Sequence, residues 1–228
     1  MTLKWTIDAL AALGTEENRK VYSRHGAGYN TFGVSFANLK ALTKKIRTNH
    51  ALAIELWKSG NTDAMTLATM IGDPAQATPA QLEGWIKDVH YHMLASLVAG
   101  FAARSPHAAT TRLEWMKSDF DLVSQAGWEL VAHAATNDTA LDDAYFVGLL
   151  EDIESSIHAA PNRTRHSMNG ALISIALRNP GLKRRALAAA KRIGRVEVDH
   201  GDTGCVTPDA IAYVKKAEEW RIKRQKPR

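Results

Sequence analysis

An all-α fold is what this sequence predicts, on three observations. Apolar residues recur near every 3.6 positions in almost every segment, the spacing of one helix face. No convincing run of alternating β-branched residues appears. Helix starts and stops of good local chemistry follow one another along the chain, about one to two dozen residues apart.

The elements can be justified in order. Phe36, Leu39, Leu42 and Ile46 form an apolar stripe, with Lys40, Lys44, Lys45 and Arg47 off it. Leu52 and Leu56 mark a further short helix ending at Gly60. After the turn at Gly72-Asp73-Pro74 comes Thr78-Pro79-Ala80-Gln81, a helix start with Thr as N-cap and Pro in the first helical position. Met93 to Ala103 is the longest mostly apolar stretch; its 11 residues suit a buried helix and are too few to span a bilayer. Ser105-Pro106, Ala160-Pro161-Asn162 and Asn179-Pro180-Gly181 separate the later helices.

Around Trp128, residues Leu122, Val123, Ala126 and Leu130 define an apolar face, and Trp128 projects roughly opposite it, near Ser124, Ala132 and Ala135. Such a Trp is either a stacking platform for a base or sugar, or the core of a helix covered on both sides. From Leu182 to Arg195, Leu182, Ala186, Ala189, Ala190 and Ile193 share one side and Lys183, Arg184, Arg185, Lys191, Arg192 and Arg195 the other. Thr207-Pro208-Asp209 repeats the helix-start grammar, with Thr207 as the expected N-cap.

About a dozen helices joined by short turns favour a solenoid of stacked antiparallel pairs, with a compact bundle as the competing arrangement. One domain is expected over residues 1–220, and a basic, disordered tail over 221–228.

Charge is strongly segregated. Pro161 to Arg195 holds nine Lys or Arg and no acid, and residues 221–228 add five more basic residues, so the remaining 15 face 24 acidic ones. A concentrated cation of this kind usually meets a polyanion, nucleic acid first. The alternative is a solvated basic face whose acids come from neighbouring helices. The 45% hydrophobic and 23% charged composition argues against disorder. Cys205 is alone, which excludes an internal disulfide, and Asp8 sits where an export signal would be apolar, so a cytoplasmic setting is expected.

The stretch from Arg19-Lys-Val-Tyr-Ser-Arg to Phe32-Gly-Val-Ser-Phe-Ala-Asn-Leu-Lys-Ala-Leu42 resembles the N-terminal signature of the AlkD-type DNA alkylation repair proteins. Gly127-Trp128-Glu129-Leu130-Val131 is similar to that family's Trp-acid-x-Val helix; Met168 to Ile173 and Ala190 to Gly194 fall where it has its next DNA-facing helices. The resemblance spans roughly residues 15–215. It implies a HEAT-like or armadillo-type, right-handed superhelical solenoid whose basic concave face cradles duplex DNA. It also implies release of cationic N-alkylated purines without metal or organic cofactor. A purine alkylated at N3 or N7 leaves without protonation, so the enzyme needs mainly a carboxylate and aromatic faces for the oxocarbenium-like sugar.

Two positions depart from that pattern. Ala132 stands where the family's Asp follows the Trp by one turn, and Ala171 stands where a second Trp follows the Gly. Only Trp128 carries over. Glu129 and Asp121 are the carboxylates near it in sequence, neither at the family's spacing; their ordinary roles are a solvent-facing helix residue and a first-turn acid.

Duplex DNA is therefore the expected partner of a monomer, with Lys44, Lys45, Arg163, Arg165, Lys183, Arg184, Arg185, Lys191 and Arg192 on phosphates and Trp128 against backbone or sugar. Glycosidic cleavage stays open. The alternative is a helical scaffold for an acidic protein; docking on anionic lipid ranks last, because the apolar side of the basic helix is mostly Ala. Asp199-His200-Gly201-Asp202-Thr203-Gly204-Cys205 fits no zinc spacing and is expected to be a turn. His90 and His92 do not share a helix face.

Overall fold

Helix starts in this chain sit where a short polar side chain takes up an orphan backbone N–H. In the computed structural model, which describes residues 1–225, Thr78 Oγ1 accepts from Gln81 N at 3.1 Å and Asn179 Oδ1 from Leu182 N at 2.9 Å. Thirteen α-helices form among these residues, with a 3₁₀ turn at Pro74–Gln76 and a lone antiparallel bridge between Gly14 and Val34.

The helices fall into two compact units. The first covers Met1–Thr111 with His200–Gly204. It contains α1 (Leu3–Leu13), α2 (Glu16–Arg24), α3 (Phe36–Ile46), α4 (His50–Lys58), α5 (Thr62–Ile71), α6 (Pro79–Lys87) and α7 (His92–Ala102). The second covers Arg112–Asp199 and the described residues from Cys205. It contains α9 (Asp121–Asn137), α10 (Asp143–Ser156), α11 (Asn162–Ala176), α12 (Pro180–Ile193) and α13 (Ala210–Gln225). The short α8 (Ala108–Trp115) carries the chain from one to the other. The sequence suggested a single domain over 1–220 and a disordered tail. Arg221 to Gln225 continue α13, and the last three residues lie outside the described ones.

In the second unit, hydrogen bonds at the helix ends fix how the helices run. Neither Phe120 nor Pro161 supplies a side-chain cap to the helix it precedes. Asp121, opening α9, instead accepts from Arg163 N at 3.0 Å and Thr164 N at 2.7 Å, the first amides of α11. At the other end Arg178 donates to Ala135 O, Asp138 O and Leu141 O at 2.8–3.0 Å, just where α9 stops. Starts meet starts and ends meet ends, so α9 and α11 are parallel. By the same logic α10 and α12 are parallel: Asn179 donates to Asp143 at 2.9 Å, and His158 Nε2 lies 2.9 Å from Ile193 O. Alternate helices lying side by side are what stacked helix pairs produce. Phe146, Ile153 and Ile157, fully buried, fill the space between the layers; each such side chain contributes about 2 kcal/mol of transfer free energy.

The first unit uses the same device. Asp63, on α5 and 2% exposed, accepts from Phe32 N (2.6 Å), Gly33 N (3.1 Å), Val34 N (2.9 Å) and the Thr31 hydroxyl (2.7 Å), the segment that leads into α3. Gly33 has φ 78°, and a Cβ there would collide with Thr15 O and the Arg19 side chain. The core beneath includes Trp57 stacked on Trp85 at 4.3 Å, with Phe101 beside Trp85.

One helix starts later than expected. Asp209, not Thr207, caps α13, its Oδ1 accepting from Ala212 N at 2.7 Å. Asn169 donates to Pro208 O at 3.0 Å and His166 reaches the Thr207 hydroxyl, so both residues are held on α11 before the helix begins.

Candidate nucleic-acid interface

The basic helix divides as its sequence predicts. On α12, Leu182, Ala186, Ala189 and Ala190 are buried, while Arg184, Arg185, Lys191 and Arg192 are exposed. Neighbouring helices nevertheless supply acids. Lys183 Nζ lies 2.7 Å from Glu218 on α13. The Arg192 guanidinium grips both carboxylate oxygens of Glu154 on α10, one at 2.7 Å. That bidentate hydrogen bond holds the Glu154 carboxyl below its ordinary range and raises Arg192.

Arg165 is also engaged, donating to Glu197 O at 2.8 Å and Ala160 O at 3.0 Å. It anchors the segment after α12 instead of facing solvent with a free fork. The expected phosphate ligands Lys183, Arg192 and Arg165 are thus held by protein groups. Arg163, Arg184, Arg185 and Lys191 make no side-chain ion pair among the described residues. Arg184 and Arg185 line an open groove of about 870 Å³ opposite Asp143 and Glu151 of α10. Lys44 and Lys45 are exposed at the end of α3, the latter with its ammonium 4.7 Å above the Trp5 ring.

Trp128 is 5% exposed and belongs to the core of the second unit. The helix around it is covered on both sides: Ser124 to Trp128, Leu130, Val131, Ala134 and Ala135 are all buried. Of the two roles open to Trp128 in the sequence, core is the one it takes. Gly127 before it permits this packing, since a Cβ there would overlap the Met116 backbone. Ala132 packs at the edge of the same cluster, and Ala171 is fully buried in it. Glu129 accepts from Gln125 Nε2 at 2.9 Å. Asp121 is occupied on both oxygens as the cap of α11 and also accepts from the Thr164 hydroxyl at 3.0 Å. A carboxylate so engaged is a structural clamp.

Among the described residues, no three His, Cys, Asp or Glu side chains gather as a metal site, and no helix is long and apolar enough to cross a membrane.

The family model described as DNA alkylation repair enzyme matches residues 6–214. The chain belongs to the DNA alkylation repair enzyme family. It is 31% identical to the uncharacterized protein Lin0241 of Listeria innocua over 214 residues, 91% of this chain and 93% of that one. Lmo0209 of Listeria monocytogenes matches at 31% over 215 residues, with the same coverage. A solved structure, described as a new family of proteins related to the HEAT-like repeat DNA glycosylases with affinity for branched DNA structures, superposes with a TM-score of 0.89. It is 31% identical and covers 97% of this chain and 95% of that one. The fold is accordingly all-α and HEAT-like.

Two surface features of this DNA alkylation repair family member have no signal in periodicity or motif. Tyr29, between α2 and α3, is 102% exposed. Along α13, Tyr213 and Trp220 are about half exposed beside Lys215, Lys216 and Lys223, with Arg224 4.3 Å over the Trp220 ring. Exposed aromatics among cations are a usual composition for nucleic-acid surfaces, but exposure depends on tertiary packing and not on the residue itself.

Proposed function

We propose that this protein binds DNA through exposed cations of its later helices and does so without excising bases. The observation that carries the binding role is the group Arg184, Arg185 and Lys191. All three are exposed on one helix with no carboxylate in ion-pair range among the described residues, in a chain of the DNA alkylation repair enzyme family. Arg163 is the fourth cation available. Each phosphate these residues neutralise releases condensed counterions, so affinity falls steeply with salt. The solved relative's affinity for branched DNA structures supports branched DNA as the favoured ligand, with linear duplex as the weaker one.

The absence of excision rests on chemistry. Loss of a cationic purine needs negative charge and a π face at the sugar. Trp128 is buried, Ala132 and Ala171 supply neither, and Asp121 is committed to the amides of α11. What remains is a surface that holds nucleic acid.

Titration of a labelled three-way junction and a linear duplex, across 50 to 200 mM salt, tests both halves. The wild type is expected to bind the junction more tightly, with log affinity falling linearly in log salt. R184E/R185E/K191E should abolish most of the binding. A salt-independent affinity, or a triple variant that binds like wild type, would end the proposal. Release of methylated base from N7-methylated duplex above the spontaneous rate would overturn the non-excising half alone.

A further inference from the structure

We infer that Tyr29, with Lys20 and Arg24 behind it, forms a binding site for one unpaired nucleotide: the base stacks on the tyrosine ring and its phosphate meets the two cations. This deepens the DNA-binding role and rests on it.

A fully exposed tyrosine on a floppy loop would mean little. Tyr29 is not on one. Before it, Ala27 is fully buried, its amide bonded to Tyr22 O at 3.0 Å and its carbonyl accepting from the Thr62 hydroxyl at 3.1 Å. After it, Asn30 donates to Gly60 O at 3.0 Å, accepts from Asn61 Nδ2 at 3.1 Å, and its carbonyl accepts from Thr62 N at 2.9 Å. The next four residues, Thr31 to Val34, are bound by the buried Asp63 carboxylate. The chain is fastened within two residues on either side, and the phenol ring projects from it into solvent. Most of the ring's area stays in contact with water, which is unfavourable for an aromatic face unless a partner covers it.

The floor beside the ring is cationic. Tyr29, Lys20, Arg24 and Ser23 line an open groove of about 730 Å³, large enough for a nucleotide. Arg19, on the same wall, pairs with Glu16 at 2.5 Å, and that hydrogen bond holds the Glu16 carboxyl below its ordinary range. Lys20 and Arg24 lie one turn apart on α2, both exposed; Lys20 adds a weaker pull on the Glu16 carboxylate that Arg19 already holds, and neither is within ion-pair distance of an acid among the described residues. A rigidly displayed π face beside two exposed cations one turn apart matches the two needs of an unstacked nucleotide. A paired base presents no accessible face, so continuous duplex gains only the charge term.

The test uses a three-way junction with two unpaired 2-aminopurine nucleotides at the branch, the same junction fully paired, and a linear duplex. Wild type, Y29S, Y29F and K20A/R24A are compared by anisotropy and 2-aminopurine fluorescence. Stacking of one base is worth a factor of about 5 to 150 in affinity. Y29S should lose that factor on the gapped junction, lose the fluorescence quenching, and bind the closed junction and duplex as before. Y29F should keep both. K20A/R24A should weaken all three ligands and flatten the salt slope by about two. A Y29S variant that binds every ligand like wild type, or that loses equally on the paired and unpaired junctions, overturns the stacking site while DNA binding stands. No binding of any DNA by the wild type removes both.

Discussion

Asp121 and Thr164 are joined through one carboxylate oxygen, Oδ1, which takes the Thr164 amide at 2.7 Å and its hydroxyl at 3.0 Å, while the same hydroxyl lies 3.2 Å from the Asp121 carbonyl, across 43 residues of sequence. With Oδ2 on Arg163 N, the first acid of one helix becomes the cap of another. D121A would leave two amides of α11 without an acceptor and should destabilise the protein by about 1–3 kcal/mol, read from the midpoint shift in urea. D121N, which can still accept one bond, should fall between. Junction affinity at a temperature where both variants stay folded should be unchanged, since the carboxylate faces the protein.

Asp63 provides the parallel case in the first unit. Replacing it by Ala removes four acceptor contacts at a site 2% exposed. We expect a loss of several kcal/mol and, in D63N, faster hydrogen exchange at the amides of Phe32, Gly33 and Val34 than elsewhere. Stacking at Tyr29 should weaken in D63N even where the variant remains folded.

The Glu154–Arg192 pair gives a pH-dependent outcome. Because the folded-state carboxyl titrates below its unfolded value, the pair stabilises above the ordinary carboxylate range and that contribution disappears as pH falls through the folded value. E154Q should therefore have a slightly lower Tm than wild type at pH 7, with the two curves converging as pH falls through the lowered range of the folded carboxyl. Freeing Arg192 should also raise DNA affinity several-fold at 50 mM salt, an advantage that shrinks at 200 mM.

Restoring the family's catalytic side chains singly should not restore excision. Ala171 is fully buried, so an indole in A171W overpacks the core and should cost about 1–3 kcal/mol or more. A132D places a carboxylate one turn from Trp128, yet Trp128 stays buried. Base release from N7-methylated DNA is expected to remain at the spontaneous rate in both variants.

Sequence periodicity located the helices well where local chemistry governs. Thr78 caps as its neighbours predict, the break expected at Asn179-Pro180-Gly181 is where α12 begins, and the Leu182, Ala186, Ala189, Ala190 side of α12 is the buried one. The α13 start differed because Thr207 and Pro208 bond to α11, a contact 39 to 41 residues away that no local rule contains. Site residues were less legible for the same reason. The charge run was visible, but the acids that pair with Lys183 and Arg192 come from Glu218 and Glu154 on other helices. Tyr29 gave no signal because a tyrosine among glycines looks alike whether covered or bare.

The clamp at both ends of α9 and α11 bears on how the second unit comes apart. Sliding one helix past the other by a single turn strands the amides of Arg163 and Thr164 together with the carbonyls of Ala135, Asp138 and Leu141. The two ends therefore fix a single register, and a lesion at either terminus, Asp121 or Arg178, removes the lock at that end.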